Sequence, residues 1–173
     1  MAATNTLRDY QASILSRLEE AKQAGANAAS GYLGMVIASK NVLVNMQDIS
    51  ETLPITELYP VPLVKSWFLG VANVRGVLYA VNDVGQMLVG DRTVLSSNTR
   101  ILLVNDEISS HVAVLVERLL GIRKLENMRR LTTDENTSFC MRPETYEDEE
   151  GEVWQVLDCA KLVHSKEFVH SYL

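Results

Sequence analysis

The spacing of apolar residues changes character at about Gly31. Before it, Leu7, Ile14 and Leu18 recur on one helical face with Tyr10 beside them, which predicts a helix closed by Gly25. After it, helical spacing gives way to short runs rich in Val, Leu and Ile. The segment YLGMVIASKNVLVNM reads as two strands joined at SKN, a hairpin. Further β-rich runs fall at 77–81, 100–105, 111–117, 137–141 and 153–157. Short strands separated by turn residues in this number point to barrels or a sandwich. The closing segment CAKLVHSKEFVHSYL predicts a second helix, with Leu162, Val163, Phe168, Val169 and Tyr172 as its apolar side, placed to close one end of a barrel.

An internal repeat organises the β region. Residues 76–88, GVLYAVNDVGQML, align without a gap on 151–163, GEVWQVLDCAKLV, at an offset of 75. Gly76 matches Gly151, Tyr79 matches Trp154, Val81 matches Val156 and Asp83 matches Asp158. A hairpin-like pair precedes each copy, YLGMVIASKNVLVNM in the first half and RILLVNDEISSHVAVLVERL in the second. The pattern predicts two similar all-β units in tandem. In each unit the glycine allows a tight turn into a strand, and the aspartate ends that strand and caps the turn after it. Asp83 and Asp158 are therefore read as architecture.

A chain of 173 residues with 47% hydrophobic and 22% charged residues can bury a core without disulfide staples. Of 22 acidic residues, Glu144, Glu147, Asp148, Glu149, Glu150 and Glu152 fall in one stretch, ETYEDEEGE, which leaves 16 acids against 16 bases elsewhere. The net charge of −6 is thus a local acidic patch on a balanced body, read as a solvated hairpin loop. Arg123, Lys124, Arg129 and Arg130 make only a modest basic stretch, so no nucleic-acid footprint is present. The start MAATNTLRDYQ has no apolar core of a secretory signal, and Cys140 and Cys159 read as reduced structural thiols. Lys65 and Arg75 interrupt the most apolar region before it reaches the roughly 18 residues of a membrane span.

Reactive groups do not converge in the sequence. Cys159, His164 and His170 are spaced by five and six residues, which scatters them around a helix instead of placing them on one face as metal ligands. A thiol pair of Cys140 with His111 is compatible with the sequence, but no flanking pattern marks an activated cysteine. No nucleophile elbow, P-loop or dinucleotide fingerprint occurs. The chain reads as a binding module without catalysis or cofactor. Arg75, inside the nearly uncharged WFLGVANVRGVLYAVNDVGQML, has the planar fork to bridge a partner carboxylate or to tie elements of its own fold, and both readings stand.

The run FLGVANVRGVLYAVNDVGQML resembles the G-[VI]-x-N-x-R-G-x-[VIL]-x-x-V-x-D-[LV] signature of the CheW family, the coupling proteins of bacterial chemosensory arrays. The resemblance extends through MQDISETLPITELYPVP, HVAVLVERLLGI and VWQVLDCAKLV, over about residues 31–170. The wording WFLGVANVRG and the N-terminal helix look most like the PilI-type branch of type IV pilus (twitching) systems. The resemblance implies a mainly β fold, two intertwined five-stranded SH3-like β-barrels with an N-terminal and a C-terminal helix. Residues 1–30 would be a helical extension and 31–173 the CheW-like domain. It implies no catalytic activity, no cofactor and no direct membrane insertion. The implied partners are a CheA-type histidine kinase, through its regulatory domain, and the cytoplasmic tip of a methyl-accepting chemoreceptor, at receptor arrays in the cytoplasm. An adaptor in flagellar chemotaxis, or one that binds non-kinase pilus components, is the alternative.

Carried over residue by residue, the resemblance assigns partner binding to Met46, Asp48, Gly70, Arg75, Ala113 and Ile122. The family's hydrophobic-Gln-Glu-Ile strand end falls on Met46–Gln47–Asp48–Ile49, with the shorter Asp in place of Glu. Its Val-Gly-Ile-Val-Val-Asp stretch falls on Val112–Glu117, with Ala113 where glycine is usual. Arg75 is expected at the junction between the barrels. Ile122 matches an apolar coupling position that would otherwise be core. YPVPL is longer than in chemotaxis members and reads as a surface loop that adjusts partner choice or simply connects.

Overall fold

The alternation of buried positions organises two six-stranded sheets in the structure, a computed structural model that describes residues 12–17, 31–131 and 137–172. The strands are β1 (Tyr32–Ile37), β2 (Lys40–Asn45), β3 (Ile49–Pro54), β4 (Leu58–Tyr59), β5 (Phe68–Val74), β6 (Val77–Asp83), β7 (Arg100–Val104), β8 (Val112–Val116), β9 (Arg118–Arg123), β10 (Arg129–Arg130), β11 (Met141–Glu147) and β12 (Val153–Leu157). Short helices follow two of them: α1 (Val84–Val89) after β6, then α2 (Cys159–His164) and α3 (Lys166–Val169) after β12. One sheet runs β10-β11-β12-β2-β1-β9 and the other β4-β5-β6-β8-β7-β3. Each is five main strands plus a two-residue edge strand, β10 or β4, which matches the expected five-stranded SH3-like units and adds a short edge to each.

The two sheet orders correspond position by position, and the correspondence explains the sequence repeat. In each sheet the strand that carries the repeat, β6 or β12, pairs antiparallel with the strand before it and parallel with the second strand of a hairpin. That hairpin comes from the other half of the chain. β1–β2 joins the sheet of β9–β12, and β7–β8 joins the sheet of β3–β6. The two units read from the repeat are tandem in sequence but exchange their hairpins in space, the intertwining that the resemblance implies. Neither sheet can form without residues from both halves.

Packing follows the period of two even where a strand is apolar throughout. On β2, Val42 and Val44 face the core between the sheets, while Leu43 turns into the interior of the first unit with Trp154 and Val156. On β8, Val112, Val114 and Val116 join the central core, and Ala113 and Leu115 fill the second unit with Ala72, Val81, Ile101 and Leu103. Three apolar cores result, and β2, β7 and β8 are buried on both faces, which is why their sequences show no polar alternation.

Other expectations meet corrections. The run at 137–141 is not a strand; β11 begins at Met141, where Met141 pairs with Leu157. The C-terminal helix is two pieces broken at Ser165, whose hydroxyl donates to the Leu162 carbonyl (2.7 Å) and accepts from the Phe168 amide (3.2 Å). One serine thus closes α2 and caps α3. Residues 12–17 are helical with Ile14 and Leu15 exposed, while Leu7, Tyr10, Leu18 and Gly25 lie outside the described residues. Among the described residues no helix is long and apolar enough to cross a membrane.

Candidate functional site

Met46 and Asp48 stand at the crossover between the sheets. They form a 3-10 turn, Met46–Asp48, that carries the chain from β2 of one sheet to β3 of the other, and Asn45 caps it by accepting from the Gln47 amide at 2.9 Å. Asn105, just after β7, holds the turn from the far side. Its backbone amide donates to the Asp48 carbonyl (2.8 Å) and its side-chain amide to the Gln47 carbonyl (2.9 Å). Burial at this seam pushes the Asp48 carboxyl above its ordinary value; nearby Arg142 pulls the other way and Asp158 adds to the rise. Arg142 itself pairs with Asp158, Nε to Oδ2 at 3.6 Å, across the neighbouring strands β11 and β12.

Gly70 is buried in β5 at a register shift between Phe68 and Gly70. Its φ is +139°, and a Cβ would stand 2.5 Å from the Tyr59 carbonyl oxygen. Here the glycine admits β4 and the start of YPVPL against the sheet, and it offers no side chain to a partner. That loop is indeed on the surface, with Tyr59, Val61 and Leu63 exposed.

Arg75 and Gly76 form the two-residue turn of the β5–β6 hairpin, with φ of +52° and +85°. Positive φ at both central positions suits the twist of a tight hairpin, and Gly76 is further held by its amide donating to Asn73 Oδ1 at 2.8 Å. The Arg75 fork closes on Glu51 of β3 in two bonds, Nη1 to Oε2 at 2.8 Å and Nη2 to Oε1 at 2.6 Å. β3 and β5 are not neighbours in the sheet order, so the pair meets because the second sheet curls on itself. The expectation of a junction between the barrels is corrected: Arg75 bridges two edges of one unit. It does so from outside, with 73% of its side chain exposed.

Ala113 is fully buried in the second unit, so no partner can touch its methyl group. Ile122 reverses its bland reading as core, because it is 61% exposed on β9. Next to it the Arg123 guanidinium lies 5.4 Å from the Trp154 ring centroid, and Trp154 Nε1 donates to Asp148 at 2.8 Å. Asp148 also accepts from the amides of Glu150 and Glu152, and these bonds hold its carboxyl below the ordinary value, with the Trp154 bond the largest cause. Within the acidic stretch, Glu144 and Glu147 pair with Arg130 and Arg129 across the hairpin, so the basic stretch and the acidic loop largely answer each other.

Sequence reasoning missed three features. Glu51, the partner of Arg75, carries no local signal because its pairing depends on the curl of the sheet. The Arg142–Asp158 pair lies across the neighbouring strands β11 and β12 and depends on their register, which residue spacing alone does not give. Leu78 and Val153 are 55% and 50% exposed at equivalent positions of the repeat, and the offset of 75 residues does mark them, since both are aliphatic where the chain has just left a turn.

Among the described residues the candidate reactive side chains are held apart or buried. Cys140 and Cys159 are buried, and burial pushes both thiols up to about 12, far from a reactive thiolate at neutral pH. His111 is exposed and packs edge-on against Tyr79. His164 and His170 each place Nδ1 on the carbonyl four residues back, at 2.7 and 2.9 Å. Among the described residues no group of three or more His, Cys, Asp or Glu side chains could hold a metal ion. A cleft of about 600 Å³ opens between the β1–β2 turn and the segment Asp91–Val94. Its charged lining mixes Asp91 and Glu117 with Arg92 and Arg118.

A model of the CheW-like domain matches residues 31–167. The scaffolding protein TtCheW from Thermoanaerobacter tengcongensis has a similar fold, with a TM-score of 0.65 at 12% identity over 80% of this chain and 95% of that one. No curated protein matches the chain.

Proposed function

The chain belongs to the family of CheW-like domains, and from that premise we propose that it is a non-enzymatic adaptor in a chemosensory pathway. It couples the cytoplasmic tip of a methyl-accepting chemoreceptor to the regulatory domain of a CheA-type histidine kinase, and it works at receptor arrays on the cytoplasmic face of the membrane. The observation that carries this reading is the family match over residues 31–167. The site geometry agrees with it: what the described residues present outward is a seam turn at Met46–Asp48, an ion-paired hairpin tip and an exposed aliphatic on a braced strand, which are docking features.

Of the candidate contacts, Met46, Asp48, Arg75 and Ile122 would meet partners directly. Gly70 and Ala113 would act through the shape of the second unit. The pathway is the one that controls type IV pilus twitching, by resemblance of the WFLGVANVRG run to that branch. A titration of the full chain against the kinase regulatory domain, with and without the receptor tip, tests the coupling. Binding to both is expected, and binding to neither would overturn the adaptor reading. Loss of twitching with flagellar chemotaxis intact, on deletion of the gene, is the outcome expected for the pilus assignment.

A further inference from the structure

The two copies of the repeat diverge just after their helices. After α1 the chain leaves through Gly90 in the left-handed conformation, and residues 91–94, which match Lys166–Val169 at the 75-residue offset, form no helix. After α2 the chain turns at Ser165, forms α3 and reaches the segment between β4 and β5. Phe168 stacks on Trp67 with ring centroids 5.8 Å apart. Tyr172 makes an antiparallel bridge with Val64, and the Lys65 amide donates to the Ser171 carbonyl at 2.6 Å. The family match ends at Glu167, before every one of these contacts.

This tail forms one wall of an open groove of about 270 Å³ whose other lining is mainly apolar: Phe68, Ala80 and Val112 of the second sheet and Val163 of α2. Helix α3 is a single turn with no buried residue, and Val169 and Tyr172 face solvent; the end is fastened by half-buried Phe168, which packs on the edge of the central core and stacks on Trp67, and by one short ladder. The surface below is therefore already occupied by a short helix that presents an aromatic side chain.

We propose that residues 166–172 are a displaceable strap, and that an amphipathic helix of a partner takes its place by seating an apolar side chain where Phe168 now packs. In the coupling scheme that helix belongs to the receptor tip, a clause that rests on the function proposed above. The strap then sets the apparent affinity, since only molecules with the strap released can bind.

A Val64→Cys/Tyr172→Cys variant of the full chain can be locked by oxidation and released by reduction, with native thiols that are buried. A Phe168→Ala variant loosens the strap without the lock. The first readout is uptake of the apolar dye ANS, with the melting temperature as a check on folding; the second is titration with a receptor-tip fragment. The expected result is several-fold more dye uptake and tighter tip binding for Phe168→Ala, with both suppressed in the oxidised lock and restored on reduction. Equal dye uptake and equal tip binding in locked and released forms would overturn the strap while leaving the adaptor reading in place. Dye uptake that follows the lock, with no tip binding in any form, would sustain the strap and sink the receptor as its occupant.

Discussion

Arg75 and Glu51 meet fork to fork, 2.8 and 2.6 Å apart, across strands that are not adjacent in their sheet. The bonds from Arg75 hold the Glu51 carboxyl below its ordinary value. A depressed carboxylate stabilises the fold at pH above its unfolded value of 4.5 and loses that contribution as pH falls through its folded value. Both groups are open to solvent, and exposed pairs of this kind contribute little. Arg75→Ala is therefore expected to leave the melting temperature nearly unchanged at neutral pH while weakening kinase-domain binding. Arg75→Lys should weaken binding too, because a point charge cannot reproduce the two-pronged contact. A large drop in melting temperature for Arg75→Ala would make the residue structural.

Gly70→Ala gives the opposite signature. The added Cβ would meet the Tyr59 carbonyl at 2.5 Å in a backbone of φ +139°. Backbone strain and the clash together are expected to cost about 2 kcal/mol or more. Chemical denaturation should show this as a lower midpoint at unchanged slope, and partner binding at a temperature where the variant stays folded should be close to normal.

The repeat and the strand pattern made the fold largely readable, because a buried strand announces itself over five or six residues and the copies at 76–88 and 151–163 share their glycine, aromatic and aspartate. What stayed hidden depends on contacts between distant segments. The exchange of β1–β2 and β7–β8 between sheets leaves no trace in local spacing; the Arg142–Asp158 pair depends on the register of β11 on β12, and the Glu51 partner of Arg75 on the curl of the second sheet. Ser165 looks like any polar position of a helix until its hydroxyl is seen bonding on both sides. For Ile122 the sequence left a coupling position or core open; its exposure is seen only in its place on β9.

Equivalent caps should not be equally costly to lose. Asp83 is fully buried and accepts from the Gln86 amide (3.0 Å), the Thr93 amide (2.8 Å) and the Thr93 hydroxyl (2.7 Å). Asp158 accepts from the Lys161 amide at 3.0 Å and otherwise faces Arg142. Asp158→Ala is expected to cost about 1 kcal/mol, as an ordinary N-cap does. Asp83→Ala also strands the Thr93 donors and should cost about 2–4 kcal/mol. Equal losses in urea unfolding would contradict this ranking.

At the seam, Asp48 makes the fold sensitive to acid in an unusual direction. Burial raises its folded value above 3.8, so at neutral pH the ionised carboxyl works against the folded state. As pH falls through the raised value toward 3.8, the folded state takes up its proton first and the penalty disappears. Asp48→Asn is therefore expected to melt higher than the wild type at neutral pH, with the gap closing on acidification. A gap that stays constant or widens as pH falls would show that the carboxylate is stabilised at the seam instead.

By resemblance Ile122 and Ala113 would both serve partners, yet their burial separates them. Ile122 is 61% exposed, so Ile122→Ala should change stability by no more than about 0.5 kcal/mol, as surface substitutions do. An exposed aliphatic at the middle of an interface would lose about 1–2 kcal/mol of binding on truncation, roughly tenfold in affinity. Ala113 is fully buried, so Ala113→Gly, which restores the family's usual residue, should destabilise the second unit by about 1 kcal/mol through added strand entropy and lost packing. Calorimetric titration of both variants against the kinase regulatory domain, paired with their melting curves, separates the two roles. If Ile122→Ala binds normally, the exposed face of β9 takes no part in kinase docking, and the contact must be sought at the seam turn and the Arg75 tip.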